Sequence, residues 1–367
     1  MQSGDFASRL AALARAAATS DIDAVLVTPG PDLQYLIGYD AIPLERLTCL
    51  VVPAGGNPTL VVPRLEQLAA MASPAGQLDL VISTWTESDD PFALVASSLA
   101  PITTVALDDH MWAEKVLRLL DAMPSTRQVL AGPLISPQRM RKDEYEIAAL
   151  MTAGEAIDRV HARVPDLLRA GRTEREVGAD IAAAIVDEGH IRVDFVIVAS
   201  GPNGASPHHE VSDRVIEHGD VVVVDIGGTM PDGYRSDCTR TYAVGEVSVG
   251  FQAEYDVLLA AQLAAVDHAQ VGVTCESVDA AARNVLAAAG LGDLFIHRTG
   301  HGIGLETHED PYIVAGNQLV LEVGMAFSVE PGFYREGHYG ARIEDIVIVS
   351  SSGRFILNNQ PRELVVT

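Results

Sequence analysis

Four acidic residues lie inside runs that are otherwise apolar: Asp225 in "VVVVDIGG", Asp237 in "YRSDCTRT", Glu330 in "SVEPG" and Glu344 in "RIED". A carboxylate buried in such a strand loses several kcal/mol of hydration unless charge or hydrogen bonds replace the water. For any one of them, a strand end in water or a pairing with Arg240 or Arg342 suffices. For all four, at matching places in two similar stretches, a shared need for positive charge is the simpler reading, and a pair of divalent cations meets it. Carboxylates with one imidazole suit Mn²⁺ or Co²⁺, and Zn²⁺ is also accommodated; no cysteine is placed to select a thiolate-seeking ion. Two such ions roughly 3.5–4 Å apart, bridged by carboxylates and a hydroxide, form a hydrolytic centre that generates the nucleophile and polarises the scissile carbonyl.

The imidazole is found in "RTGHGIGLETHED", residues 298 to 310. Gly302 and Gly304 disfavour a helix, so this is not the helical HExxH pattern, but they let backbone approach a crowded site. His301 is then the nitrogen ligand and His308 a donor just outside the ligand set. A third histidine, His208, follows a buried strand on the loop "SGPNGASPHHE", and its neighbour His209 is expected on the surface. Taken alone, each histidine is more simply a structural residue; beside four acids it gains a role.

These residues need elements to hold them, and the chain from about residue 142 onward repeats itself. The helical run "DEYEIAALMTAGEAIDRVHARV", a helix opened by the capping box Thr173 to Glu176, and the strands around "DVVVVDIGG" and "DCTRTYAVG" form one copy. "FQAEYDVLLAAQLAAVDHAQ", "ESVDAAARNVLAAAG" and the strands "MAFSVEP" and "ARIEDIVIV" form the other. Packed about a pseudo-twofold axis, the copies would bring the four acids to one cavity. Before them, short β-branched runs alternate with helical ones, the pattern of an α/β domain, and "PAGGNP" reads as a hairpin turn rather than a phosphate loop. "AGPLISPQRMRKDEYE", with two prolines, reads as the junction, giving domains at 1–135 and 136–367.

The 367 residues are long for one core, and 48% apolar with 20% charged residues is ordinary globular composition. The formal charge of −25 repels phosphate backbones and anionic lipid, so nucleic acid is not an expected partner. No apolar run approaches a membrane span, and Asp5, Arg9 and Arg15 break the alanine-rich start where a secretory signal would be uninterrupted, leaving an amphipathic helix. Cys49, Cys238 and Cys275 are odd in number and scattered, which argues for plain thiols. A soluble, cytoplasmic protein without a membrane partner is expected.

The chain resembles the pita-bread metallopeptidases, the group of methionine aminopeptidase, Xaa-Pro aminopeptidase and prolidase, more loosely creatinase. "VVVVDIGG", "YRSDCTRT", "GHGIGLETHE", "SVEPG" and "RIED" occur in the family's order between about Lys142 and Val349. The first region looks like the creatinase/prolidase amino-terminal domain, with "PDLQYLIGY" at 31 to 39 similar to a recurrent segment there. The resemblance implies an α+β catalytic domain with an internal pseudo-twofold, preceded by an α/β domain. It implies two metal ions on Asp225, Asp237, His301, Glu330 and Glu344, with Asp237 and Glu344 bridging. It also places His208 and His308 at the substrate carbonyl, gives Glu330 a proton-shuttling role and has Arg342 support the ligands by hydrogen bonding. The amino-terminal domain points to the proline-specific members, hence to short peptides with proline at the second position, and to a homodimer.

Two departures from the family bear on these expectations. "IGGTMPDGYRS" is one residue longer than usual, so the hairpin carries either a bulge or a longer "MPDG" turn. Prolidases have an arginine shortly after the His-Glu pair that can hold a dipeptide's carboxylate, whereas "HEDPYIVAGNQLVLE" offers Tyr312 there. Xaa-Pro dipeptidase is the favoured activity, with Xaa-Pro aminopeptidase on longer peptides the alternative. A metal-free creatinase-like hydrolase and a peptide-binding pseudo-peptidase both predict eroded ligands, and all five are present.

Overall fold

The computed structural model describes residues 3–99 and 101–367, and the chain divides into two compact units, Met1–Arg139 and Met140–Thr367. In the first unit, helix α1 (Ser3–Thr19) buries Phe6, Leu10, Leu13 and Ala17, three or four residues apart, so it is amphipathic as its sequence requires. Met1 and Gln2, which open the alanine-rich start, and Ala100, which ends "FALVASSLA", lie outside the described residues. There follow β1 (Ala24–Val27), α2 (Pro31–Ile37), β2 (Cys49–Pro53), β3 (Thr59–Pro63), α3 (Gln67–Ala72), β4 (Val81–Trp85), α4 (Pro91–Ser97), β5 (Thr104–Leu107), α5 (Ala113–Ala122), β6 (Arg127–Leu130) and α6 (Gly132–Arg139). The six strands form one mixed sheet in the order β4-β3-β2-β1-β5-β6, with β2 and β3 an antiparallel hairpin across "PAGGNP". The stretch read as a junction is itself helical in part: α6 carries Pro137, buries Leu134 and Ile135, and packs against α1. Pro133 is tolerated because it falls in the first turn, where its missing N–H would have had no intrahelical partner.

The second unit contains α7 (Glu144–Leu167), α8 (Glu174–Asp187), β7 (Arg192–Ser200), β8 (Val221–Thr229) and β9 (Cys238–Ala243) as one repeat. The other comprises α9 (Val249–His268), α10 (Cys275–Ala288), β10 (Gly300–Gly302), β11 (Glu309–Ile313), β12 (Ala326–Val329), β13 (Gly332–Arg335), β14 (Tyr339–Arg342), β15 (Asp345–Ser350) and β16 (Gly353–Ile356), and β17 (Val365–Val366) returns to β9. The duplication is written in matched hydrogen bonds. Thr173 and Thr274 cap α8 and α10 through their side chains. Gly171 N–H donates to Ile216 O at 2.9 Å and Gly272 N–H to Leu321 O at 2.9 Å, while Glu174 N–H and Cys275 N–H donate to Arg214 O and Leu319 O at 3.1 and 2.9 Å.

Strand alternation decides what faces what. In β8, Val222, Val224 and Ile226 pack with Val160, Val177 and Ile181 of α7 and α8. In the other repeat, Phe327, Val329, Val347 and Val349 pack with Leu258, Val278 and Leu286 of α9 and α10. The residues between them, including Asp225 and Ser328, therefore face away from the helices. The β8–β9 register is unbroken from Ile226↔Cys238 to the Thr229↔Arg235 bridge, so the extra length sits in the turn Met230–Tyr234, closed by Met230 N–H to Tyr234 O at 2.9 Å. The register shift of this sheet lies instead between Val193 and Phe195, where β7 meets β8. Among the described residues no helix is long and apolar enough to cross a membrane.

Candidate metal centre

Asp225 stands across from Thr239, and the same register carried back two residues sets Asp237 across from Gly227, so both carboxylates project from one face. In the second repeat, Val329↔Asp345 and Gly332↔Arg342 belong to one continuous register, which makes Glu330 and Glu344 a directly opposed pair. Like charges so placed repel. The two hairpins meet where Glu344 N–H donates to Thr239 O at 3.1 Å, and the four acids gather there.

His301 Nε2 stands 3.3 Å from Glu330 Oε1 and 3.7 Å from Asp237 Oδ2. One ligand atom each from Asp237, His301 and Glu344 lies within 4.8 Å of the other two, all three residues being buried. Counter-charge is scarce. Among the described residues, Arg342 and His301 are the bases within ion-pair distance of the four carboxylates. Arg342 donates to Asp225 Oδ2 at 2.6 Å, Thr239 Oγ1 at 3.1 Å and the Tyr334 hydroxyl at 2.8 Å. Arg240 does not serve the cluster; it pairs with Asp345 at 2.8 Å. Asp225 Oδ1 is buried with no hydrogen-bond partner. Burial, then Glu344, Asp225 and Glu330, pushes the Asp237 carboxyl well above the usual range, and burial with Glu330 and Asp225 does the same to Glu344. Glu330 goes the other way: burial opposes its charge, but the approach of His301 outweighs this and holds it at about 2. Oxygen donors short of positive charge, one of them orphaned, fit divalent cations.

Glycines allow this crowding. A Cβ on Gly300 would stand 1.8 Å from Ser328 O, and one on Gly302 would stand 2.2 Å from Asp310 O. His301 therefore lies between two positions where neighbouring backbone leaves no room for a side chain, and its N–H donates to Ser328 Oγ at 3.0 Å.

All the expected site residues line one cavity of about 990 Å³: Asp225, Asp237, His301, Glu330 and Glu344 with His208, His308 and Arg342. The His308 ring lies 3.9 Å from that of His301, and burial, reinforced by His301, pushes it down to about 4. His209 corrects the surface expectation: it is partly buried and bonds Glu174 Oε2 at 2.8 Å, a partner too distant in sequence to be foreseen. Arg298 was missed. The sequence reading sought an arginine after the His-Glu pair, whereas the cavity takes one from before it, with the guanidinium 4.3 Å from the ring centre of Tyr312.

Residues 148–351 match the model of metallopeptidase family M24, and residues 9–141 that of the creatinase/prolidase N-terminal domain. The chain belongs to metallopeptidase family M24. Among family relatives, it is 55% identical over 363 residues to a Mycobacterium tuberculosis protein named "Probable dipeptidase PepE", covering 98% of this chain and 96% of the other. It is 35% identical to the Xaa-Pro dipeptidase of Lactobacillus helveticus, covering 91% and 92% of the two chains. The crystal structure of dipeptidase PepE from Mycobacterium ulcerans superposes with a TM-score of 0.96 at 54% identity, covering 100% of this chain and 99% of that one.

Two outcomes follow from the geometry of this M24 centre. Glu344→Gln is expected to leave the metal-stripped protein at least as resistant to heat as the wild type, because a buried acid facing Glu330 is gone, and to abolish the rise in melting temperature expected of the wild type on adding a divalent metal ion. Gly302→Ala costs about 3 kcal/mol or more in urea unfolding, because backbone rather than a mobile side chain occupies the space.

Proposed function

We propose that the chain is a metal-dependent Xaa-Pro dipeptidase, releasing proline from dipeptides. The observation that carries this reading is that a cation-hungry acid cluster and a guanidinium without any ion pair or hydrogen bond among the described residues, that of Arg298, share one cavity. A guanidinium whose N–H groups have no ion pair or hydrogen bond among the described residues suits the terminal carboxylate of a dipeptide, which longer peptides do not present at that place. The similarity to proteins named as dipeptidases supports it.

In this reading Asp225, Asp237, His301, Glu330 and Glu344 hold two divalent ions, and manganese is proposed because the donors are oxygens with one imidazole nitrogen. Bound there, the ions supply positive charge to the scissile carbonyl and lower the pKa of the attacking water. Glu330 accepts the proton from that water and returns it to the proline nitrogen as the C–N bond breaks. His208 and His308 donate toward the oxygen on which negative charge develops. Arg342 keeps Asp225 in place. Three buried free thiols support a reducing, cytoplasmic setting. A homodimer is proposed from the match of the first unit to the creatinase/prolidase N-terminal domain.

With Mn²⁺ present, an Xaa-Pro dipeptide is expected to be cleaved faster than both its C-terminal amide and an Xaa-Pro-Xaa tripeptide. Arg298→Ala lowers kcat/KM for the dipeptide about 10–100-fold, the value of a lost charge-assisted pair, while leaving the amide nearly unchanged. Preference for the tripeptide in the wild type would replace this reading with the aminopeptidase one.

A further inference from the structure

His208 reaches the cavity on the segment that runs from Ser200, the last residue of β7, to Ser212. Its ring is exposed and makes no hydrogen bond or ion pair among the described residues, so its place depends on the backbone that carries it. That backbone is gathered onto one carboxylate. Glu174, fully buried in the first turn of α8, accepts at Oε1 from Ser200 N–H at 2.7 Å, Ser200 Oγ at 2.7 Å and Asn203 Nδ2 at 3.0 Å. Its Oε2 accepts from Ser212 N–H at 3.2 Å, Ser212 Oγ at 2.5 Å and His209 Nε2 at 2.8 Å. Both ends of the segment and the residue beside His208 are thus tied to a single charge. Burial alone would raise this carboxyl, but the bonds from Ser212, Ser200 and His209 prevail and hold it at about 2.

The fold does not require a charge at this place. The internal repeat supplies the control: Cys275 occupies the same position in α10, directly after a capping threonine, with its N–H bonded to the matching segment at Leu319 O and its side chain fully buried. One repeat holds an apolar thiol where the other holds an ion that is costly to bury. The segment is also tied at a second point, since Arg342, which holds Asp225, donates to Pro207 O at 3.3 Å, next to His208.

We propose that Glu174 is a positioning residue for catalysis: it fixes the Ser200–Ser212 segment and so presents His208 to the substrate. This rests on the peptidase reading, and the test separates the two. Hydrogen exchange of peptides spanning 200–212 is compared between wild type and Glu174→Gln, metal content is measured, and kcat/KM on an Xaa-Pro dipeptide is read in His208 and His208→Ala backgrounds. The expected result is faster exchange confined to the segment, unchanged metal content, and a fall in kcat/KM of about 10-fold or more that shrinks to under about 2-fold once His208 is gone. Unaltered exchange, a parallel loss of metal, or the same fall in both backgrounds would overturn it. Should Glu174→Gln fail to fold, Ser212→Ala, which removes one donor, carries the same comparison. A wild type inert on the dipeptide would end the substrate reading alone, because exchange across the segment still decides whether Glu174 holds it.

Discussion

Repulsion among four carboxylates that the fold forces together is the constraint on which the rest of the site depends. Glu330 and Glu344 oppose each other across one hairpin, Asp225 and Asp237 share a face of another, and Glu344 is bonded to Thr239 between the two acids of the partner hairpin. A single guanidinium and one imidazole cannot neutralise four carboxylates gathered so closely, three of them buried. Left so, the cluster would weaken the protein; with divalent cations it becomes the strongest electrostatic feature of the cavity.

The duplication is what makes such a cluster constructible. Each repeat alone exposes two acids on the inner face of a strand pair whose other face is packed on two helices. Bringing the inner faces together doubles the donors without lengthening any strand. The repeats then diverge where chemistry differs. The second supplies the imidazole from a glycine-flanked strand, and its α10 uses buried Asp279 to grip Thr299 N–H and Oγ1 at 3.2 and 2.8 Å, two residues before His301. The first supplies the loop of His208, gripped by Glu174 in the same manner.

Much of this was legible in the sequence, for a physical reason. An acid inside "VVVVDIGG" or "FSVEPG" interrupts the apolar pattern, and the interruption is visible without knowing any contact. The glycines of "GHGIG" announced close approach, and the structure shows backbone filling the space at Gly300 and Gly302 and the Glu309 carboxylate at Gly304. What stayed hidden was the long-range pairing. The bond from His209 to Glu174 spans 35 residues, the register shift beside Asp194 depends on how β7 meets β8, and the cation over Tyr312 comes from Arg298 on the far side of the motif. The helix through Pro137 was hidden because its stability comes from packing Leu134 and Ile135 rather than from local preference.

The most direct test of the metal centre is a calorimetric titration of stripped protein with Mn²⁺, checked by elemental analysis after gel filtration. Two ions per chain in the wild type, and a loss of tight binding in Asp237→Asn, are what the gathered carboxylates predict. A wild type that takes up no divalent ion, or an Asp237→Asn protein that binds two as tightly, would contradict the account.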